Sequence, residues 1–233
     1  MLEIIKSPSP NFDARKAPIS MLVLHYTGME SGQAALDRMC DPNAKVSAHY
    51  MVEEDGRIFQ LVSEDDRAWH AGVASWQGLD DINSRSIGIE IVNGGHDFDL
   101  PDFSDVQIGA VTLLCADILL RYDITHTGVV GHSDIAPGRK QDPGERFPWR
   151  RLSDAGIGFW PRAAAMEPVD DTGVAEALRV IGYGVEMIPD ASLEACLAAF
   201  QRRWRPENIT GEADEETRRI LGLVSSRYAK ARK

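Results

Sequence analysis

Along "RSIGIEIVN", residues 85–93, apolar and polar positions alternate. Ile87, Ile89 and Ile91 fall on one face of a strand; Gly88, Glu90 and Val92 fall on the other. "PISMLVLHYT", 18–27, is a continuous apolar run ending near His25 and Thr27, the mark of a buried strand. "SAHYMVEEDGRIFQLV", 47–62, carries two β-prone runs around Asp55–Gly56 and predicts a hairpin. Helical spacing takes over in "SGQAALDRMC", with Ser31 as cap, and in 104–122, the longest helix. Ser104 opens that helix, and Gln107 three residues on completes a capping-box pattern. "GVVGH" then reads as a short central strand. These elements predict an α/β domain, a mixed central β-sheet flanked by helices.

Residues 155–170 break every period and read as a linker or a packed connecting loop. Three helices follow, at about 172–181, 192–203 and 214–224, with Ser192 and Asp214 at helix starts. The expected organisation is therefore a first domain over 1–155, a linker over 156–170 and a small all-α unit over 171–233. Three helices of this size form a marginal core, so the unit is expected to pack against the first domain.

Charge and cysteine content narrow the partners. A formal net charge of −11 over 233 residues disfavours nucleic acid or an anionic membrane surface as the main partner. Cys40, Cys115 and Cys196 are too few and too scattered for a disulfide scaffold. "MLEIIKSPSPNF" lacks the apolar core of a signal peptide, and no apolar run is long enough to span a membrane. A cytoplasmic protein is expected on that reading, and a periplasmic one if the chain is a processed form. A monomer is expected.

The chemistry concentrates in "VVGHSDIAPGRKQDPG", 129–144. His25 and His132 end two strands and Asp142 follows ten residues after His132, a set that could hold zinc with one position open for water. His49, His70, His96 and His126 compete for the same role, and a histidine at a strand end is often only hydrogen-bonded structure. Glu90 stands in a strand where an ionised group is costly unless paired. It is either a solvent-facing residue or a general base. Lys140 lies two residues before Asp142, and a lysine beside a metal is useful where negative charge develops on an oxygen.

"VLHYT", "SAHYMVEEDGRIFQLV", "WHAG", "SIGIEIVN" and "VVGHSDIAPGRKQDPG", in this order over residues 18–150, resemble the zinc-dependent N-acetylmuramoyl-L-alanine amidases of the type 2 family. The resemblance implies Zn2+ on His25, His132 and Asp142, Glu90 as the catalytic glutamate and Lys140 as its assisting lysine. His70 and Gly72 of "WHAG" match a motif at the site rim. Ala48 stands where phage-type members carry a tyrosine, which groups the chain with glutamate-dependent members. The implied reaction is hydrolysis of the amide between N-acetylmuramic acid, or its 1,6-anhydro form, and L-alanine of the stem peptide. Peptidoglycan or a muropeptide is then the partner. A non-catalytic peptidoglycan recognition protein and a zinc peptidase acting within the stem peptide are the alternatives. Residues 172–224 resemble a three-helix peptidoglycan-binding domain, and Arg202, Arg203 and Arg205 around Trp204 suit a glycan or muropeptide carboxylate.

Overall fold

The computed structural model describes residues 2–161 and 167–231, so part of the expected linker, 162–166, lies outside the described residues. The chain enters through two edge strands that no clear period announces, β1 (Ile4–Lys6) and β2 (Phe12–Ala14). Next come β3 (Met21–Tyr26), α1 (Gly32–Cys40), the hairpin strands β4 (Tyr50–Val52) and β5 (Ile58–Gln60), and β6 (Asp66–Ala68). One helical turn, α2 (Ile82–Arg85), leads into β7 (Ser86–Ile91), then α3 (Asp105–Arg121) and β8 (Val129–Gly131). Two short helices, α4 (His132–Ile135) and α5 (Trp149–Asp154), precede the tail helices α6 (Val174–Ile181), α7 (Leu193–Trp204) and α8 (Glu215–Ala231).

The sheet order is β1-β5-β4-β7-β3-β8, and β2 pairs with β6 apart from it. β4, β7, β3 and β8 run parallel, while β5 returns antiparallel to β4. The period-2 reading of 85–93 holds: Ile87, Ile89 and Ile91 join Leu22, Leu24 and Val129 beneath Ile108, Val111, Leu114 and Ile118 of α3. Burying each such side chain contributes about 1.5–3 kcal/mol, so this face anchors the sheet. The opposite face carries Met21, Val23 and Val130, which share one hydrophobic cluster with Leu178, Phe200, Trp204 and Tyr228 of the tail. The helical unit thus covers the second face of the sheet. No helix among the described residues is long and apolar enough to cross a membrane.

Local signals were right about starts and less so about ends. Ser31, Ser104 and Ser192 cap their helices by accepting from the backbone N–H groups of Ala34, Gln107 and Ala195. Asp214 accepts from Thr217 N–H in the same way. α8 continues to Ala231, well past the expected end at 224. Gln107 does not close a capping box. Its amide donates instead to the carbonyls of Val92 (2.7 Å) and Val52 (3.3 Å), where β4 and β7 end.

Candidate metal centre

Parallel pairing brings the two strand-end histidines level. Leu24 of β3 faces Gly131 of β8 in register, so His25 and His132, each one residue further on, emerge together. His25 is also the register partner of Glu90 on β7. Asp142 returns through a loop whose turn is held by the N–H groups of Arg139 and Lys140 on the Ala136 carbonyl. Ser133 N–H donates to the Asp142 carbonyl at 2.9 Å and closes the loop. Arg139 donates to the carbonyls of Ala71 and Val73, both at 2.7 Å, and ties this loop to the 70–73 segment.

The donor atoms converge. His25 Nδ1, His132 Nδ1 and Asp142 Oδ2 lie 2.9–3.0 Å from one another, and all three residues are buried. Among the described residues these three form the group able to hold a metal ion. His132 Nε2–H donates to the Ala71 carbonyl at 3.0 Å, so its Nδ1 presents a lone pair in the neutral ring. Burial would push the Asp142 carboxyl up, but the electrostatic contacts with His132 and His25 hold it well below the usual carboxylate range. Burial, with His132 beside it, draws His25 down to about 4. An anionic carboxylate and a neutral imidazole are the forms that ligate metals. Lone pairs aimed at one point require a positive charge between them, and this donor set fits a metal ion.

Glu90 faces the same space. The residue is partly exposed, yet its Oε2 is buried without a hydrogen-bond partner. Burial raises its pKa well above the ordinary carboxylate value; nearby Asp142 adds to the rise and the Lys140 charge opposes it. The same Lys140 charge lowers His25 as well.

The other histidines separate cleanly. His126 is exposed on a 3-10 turn. His49 is buried, accepts from Gly88 N–H at 3.0 Å, and is drawn down to about 3 by burial and Arg15. His96 joins the rim: Tyr26 hydroxyl donates to its Nδ1 (2.9 Å), and its Nε2–H donates to Glu145 (3.0 Å). His70 is not at the rim but buried behind His25. Ala48 is wholly buried in a cluster with Ala35 and Met39 of α1.

The expected basic patch is not open. Arg203 is 2% exposed, paired with Asp134 at 2.5 Å and stacked between the rings of Trp149 (4.1 Å) and Trp204 (4.5 Å). Arg205 is committed to Asp214 and Glu216. Only Arg202 approaches the rim, 3.5 Å from Glu145. The counter-charges of Arg203 and Arg202 lie far away in sequence, at Asp134 and Glu145, so spacing alone does not show that the stretch is covered.

Three converging ligand atoms beside a buried carboxylate oxygen, at the ends of parallel strands, are an arrangement that could serve metal-assisted hydrolysis. The sequence profile of the N-acetylmuramoyl-L-alanine amidase family matches residues 15–145. The chain belongs to that family. It is 38% identical to the N-acetylmuramoyl-L-alanine amidase AmiD of Escherichia coli, over 90% of this chain and 83% of AmiD. It is 39% identical to the 1,6-anhydro-N-acetylmuramyl-L-alanine amidase AmpD of Haemophilus influenzae, over 61% of this chain and 86% of AmpD. The crystal structure of AmpDh3 from Pseudomonas aeruginosa superposes with a TM-score of 0.82 at 40% identity, covering 90% of this chain and 92% of AmpDh3. The chain is an N-acetylmuramoyl-L-alanine amidase.

Proposed function

We propose that His25, His132 and Asp142 hold one zinc ion, and that Glu90 and Lys140 carry the hydrolysis of the amide between N-acetylmuramic acid and L-alanine. The observation that carries this reading is the convergence of three ligand atoms within 2.9–3.0 Å, one strand away from a buried, unpartnered carboxylate oxygen. Zinc bound there would polarise the amide carbonyl and acidify the attacking water. Glu90 accepts the proton from that water and returns it to the leaving nitrogen of L-alanine, a cycle suited to a carboxylate whose pKa is raised. Lys140 supplies positive charge where the carbonyl oxygen turns negative.

The substrate class is peptidoglycan or its anhydro-muropeptide fragments. AmiD has been crystallised with anhydro-N-acetylmuramic acid-L-Ala-D-gamma-Glu-L-Lys, which supports the anhydro form as a substrate here. The AmiD match spans 90% of the chain against 61% for AmpD, which favours a role for the tail that AmiD shares. Binding of the wall polymer by residues 171–233 is the role we assign to it, without the Arg203–Arg205 stretch.

The test is product analysis. Purified protein, dialysed and assayed for metal, is incubated with anhydro-muropeptide and with intact sacculi, and products are identified by mass spectrometry. Stem peptides beginning at L-alanine, with one equivalent of zinc retained, are expected. Cleavage inside the stem peptide would replace this reading with a peptidase. Full zinc retention in His132→Ala would remove the ligand assignment.

A further inference from the structure

Behind the ligand triad a short relay of hydrogen bonds runs into the core. His25 Nε2 lies 3.0 Å from His70 Nδ1, and His70 Nε2 lies 3.1 Å from Ser86 Oγ. The far end sets the direction of every proton. Ser86 Oγ is 2.7 Å from the Ile82 carbonyl, which can only accept, so the Ser86 hydroxyl proton is committed there. Ser86 Oγ must then accept from His70 Nε2–H. A neutral imidazole carries one N–H, which leaves His70 Nδ1 as an acceptor for His25 Nε2–H. His25 is left with a bare Nδ1, the atom that faces His132 and Asp142.

The surroundings are cut to admit this ring. A Cβ at Gly88 would lie 2.6 Å from the His70 ring, so the alternating strand gives up a side chain at that position. Asn83 Oδ1 accepts the backbone N–H groups of His70 (3.1 Å) and Ala71 (2.7 Å), fixing the segment that carries the ring. His70 itself is 6% exposed, buried behind His25.

We propose that His70 is a positioning residue for the metal centre: its Nδ1 holds His25 in the Nε2–H tautomer and fixes that ring with Nδ1 toward the ion. This rests on the reading of His25, His132 and Asp142 as ligands. Ligating histidines commonly donate their second N–H to a carboxylate or a carbonyl, which strengthens the ligand. A neutral imidazole in that place adds no charge, so Asp142 remains the one anionic ligand. A metal held there would keep more of its positive charge for the carbonyl oxygen and the water.

Zinc affinity tests this directly, by competition against a chromophoric chelator on the full chain, with apo-protein melting and circular dichroism run alongside. His70→Leu fills the space without an acceptor and should weaken zinc binding about 10–100-fold. His70→Asn places Oδ1 where Nδ1 stands and should recover affinity to within about threefold of the parent, the size expected of a retained hydrogen bond. A residue that only filled space would favour leucine over asparagine. Should His70→Leu fail to fold, Ser86→Ala is read instead; it frees the relay to reverse and should weaken zinc binding several-fold. Parent-like affinity in His70→Leu, or in Ser86→Ala where that variant is read, overturns the proposal, as does an asparagine variant as weak as the leucine one. His132→Ala is measured in the same series. If it keeps zinc, the ligand reading has failed; if it loses zinc while His70→Leu does not, only the role of His70 has failed.

Discussion

Glu90 reaches the site from β7 rather than from the loop that supplies Asp142 and Lys140, so its removal should leave the ligands in place. Glu90→Gln is expected to keep the fold and the zinc and to lose about 10²–10⁴ in kcat, the contribution of a positioned general base. Activity within fivefold of the parent would show that another group moves the proton. In the proposed mechanism Lys140 acts on charge that appears only as the carbonyl is attacked. Lys140→Ala should therefore lower kcat by about 10² with a smaller rise in KM. Steady-state kinetics on a soluble muropeptide separates the two, and a change confined to KM would reduce Lys140 to gripping substrate.

Among the elements, α3 is pinned to the sheet by a carboxylate outside the site. Glu64 accepts from Tyr50 of β4 (2.8 Å), from Tyr122 just after α3 (2.9 Å) and from Arg121 (2.9 Å). Burial alone would raise its pKa, but the hydrogen bonds from Arg121, Tyr50 and Tyr122 and the Arg121 charge bring it below the ordinary value. The sign follows from linkage. A carboxylate whose folded pKa is depressed stabilises the fold above its unfolded pKa, about 4.3, and loses that contribution as pH falls through the folded value. Glu64→Gln should cost about 1–2 kcal/mol at pH 7, the lower part of the range for charged hydrogen bonds because Arg121 is 40% exposed. Urea unfolding at pH 7 and pH 3 checks this, in one metal state throughout. The gap between parent and variant should be full at pH 7 and should shrink at pH 3; a constant gap would assign the effect to packing.

Taken whole, the molecule joins its tail to the metal loop through a buried cluster. Asp134, in the helix that His132 begins, accepts from Gly131 N–H (2.8 Å), from Tyr183 hydroxyl (2.6 Å) and from Arg203. Arg203 also donates to the Val129 carbonyl on β8 at 3.0 Å. Gly138 sits against the Asp190 backbone so closely that a Cβ there would overlap it. Arg203→Met strands a buried carboxylate and should cost about 3–5 kcal/mol in urea unfolding. A loss below 1 kcal/mol would show that Asp134 finds another partner. Ending the chain after residue 161 should give an insoluble or strongly destabilised protein, since Met21, Val23, Trp76 and Val130 share their cluster with the tail. Calorimetry of the full chain should show one transition. Two separate transitions, or a truncated protein with an unchanged melting temperature, would make the tail an independent unit.

The sequence alone was enough for what depends on near neighbours. Alternation in 85–93 assigned Ile87, Ile89 and Ile91 to the core and Glu90 to the other face, because side-chain direction in a strand repeats every two residues. Helix starts were legible at Ser31, Ser104, Ser192 and Asp214, because a cap bonds within three residues of itself. The names of His25, Glu90, His132, Lys140 and Asp142 came from ordered motifs, while their convergence could not be read from spacing. Strand order decided that: β3 lies between β7 and β8, which brings residues 25, 90 and 132 together across more than a hundred positions of chain. Tertiary structure alone placed His70 behind His25, since nothing near "WHAG" in the chain shows that Gly88 leaves room for its ring. It also closed the Arg203–Arg205 stretch, because a charge reads as free in sequence until the fold supplies Asp134 from 69 residues away.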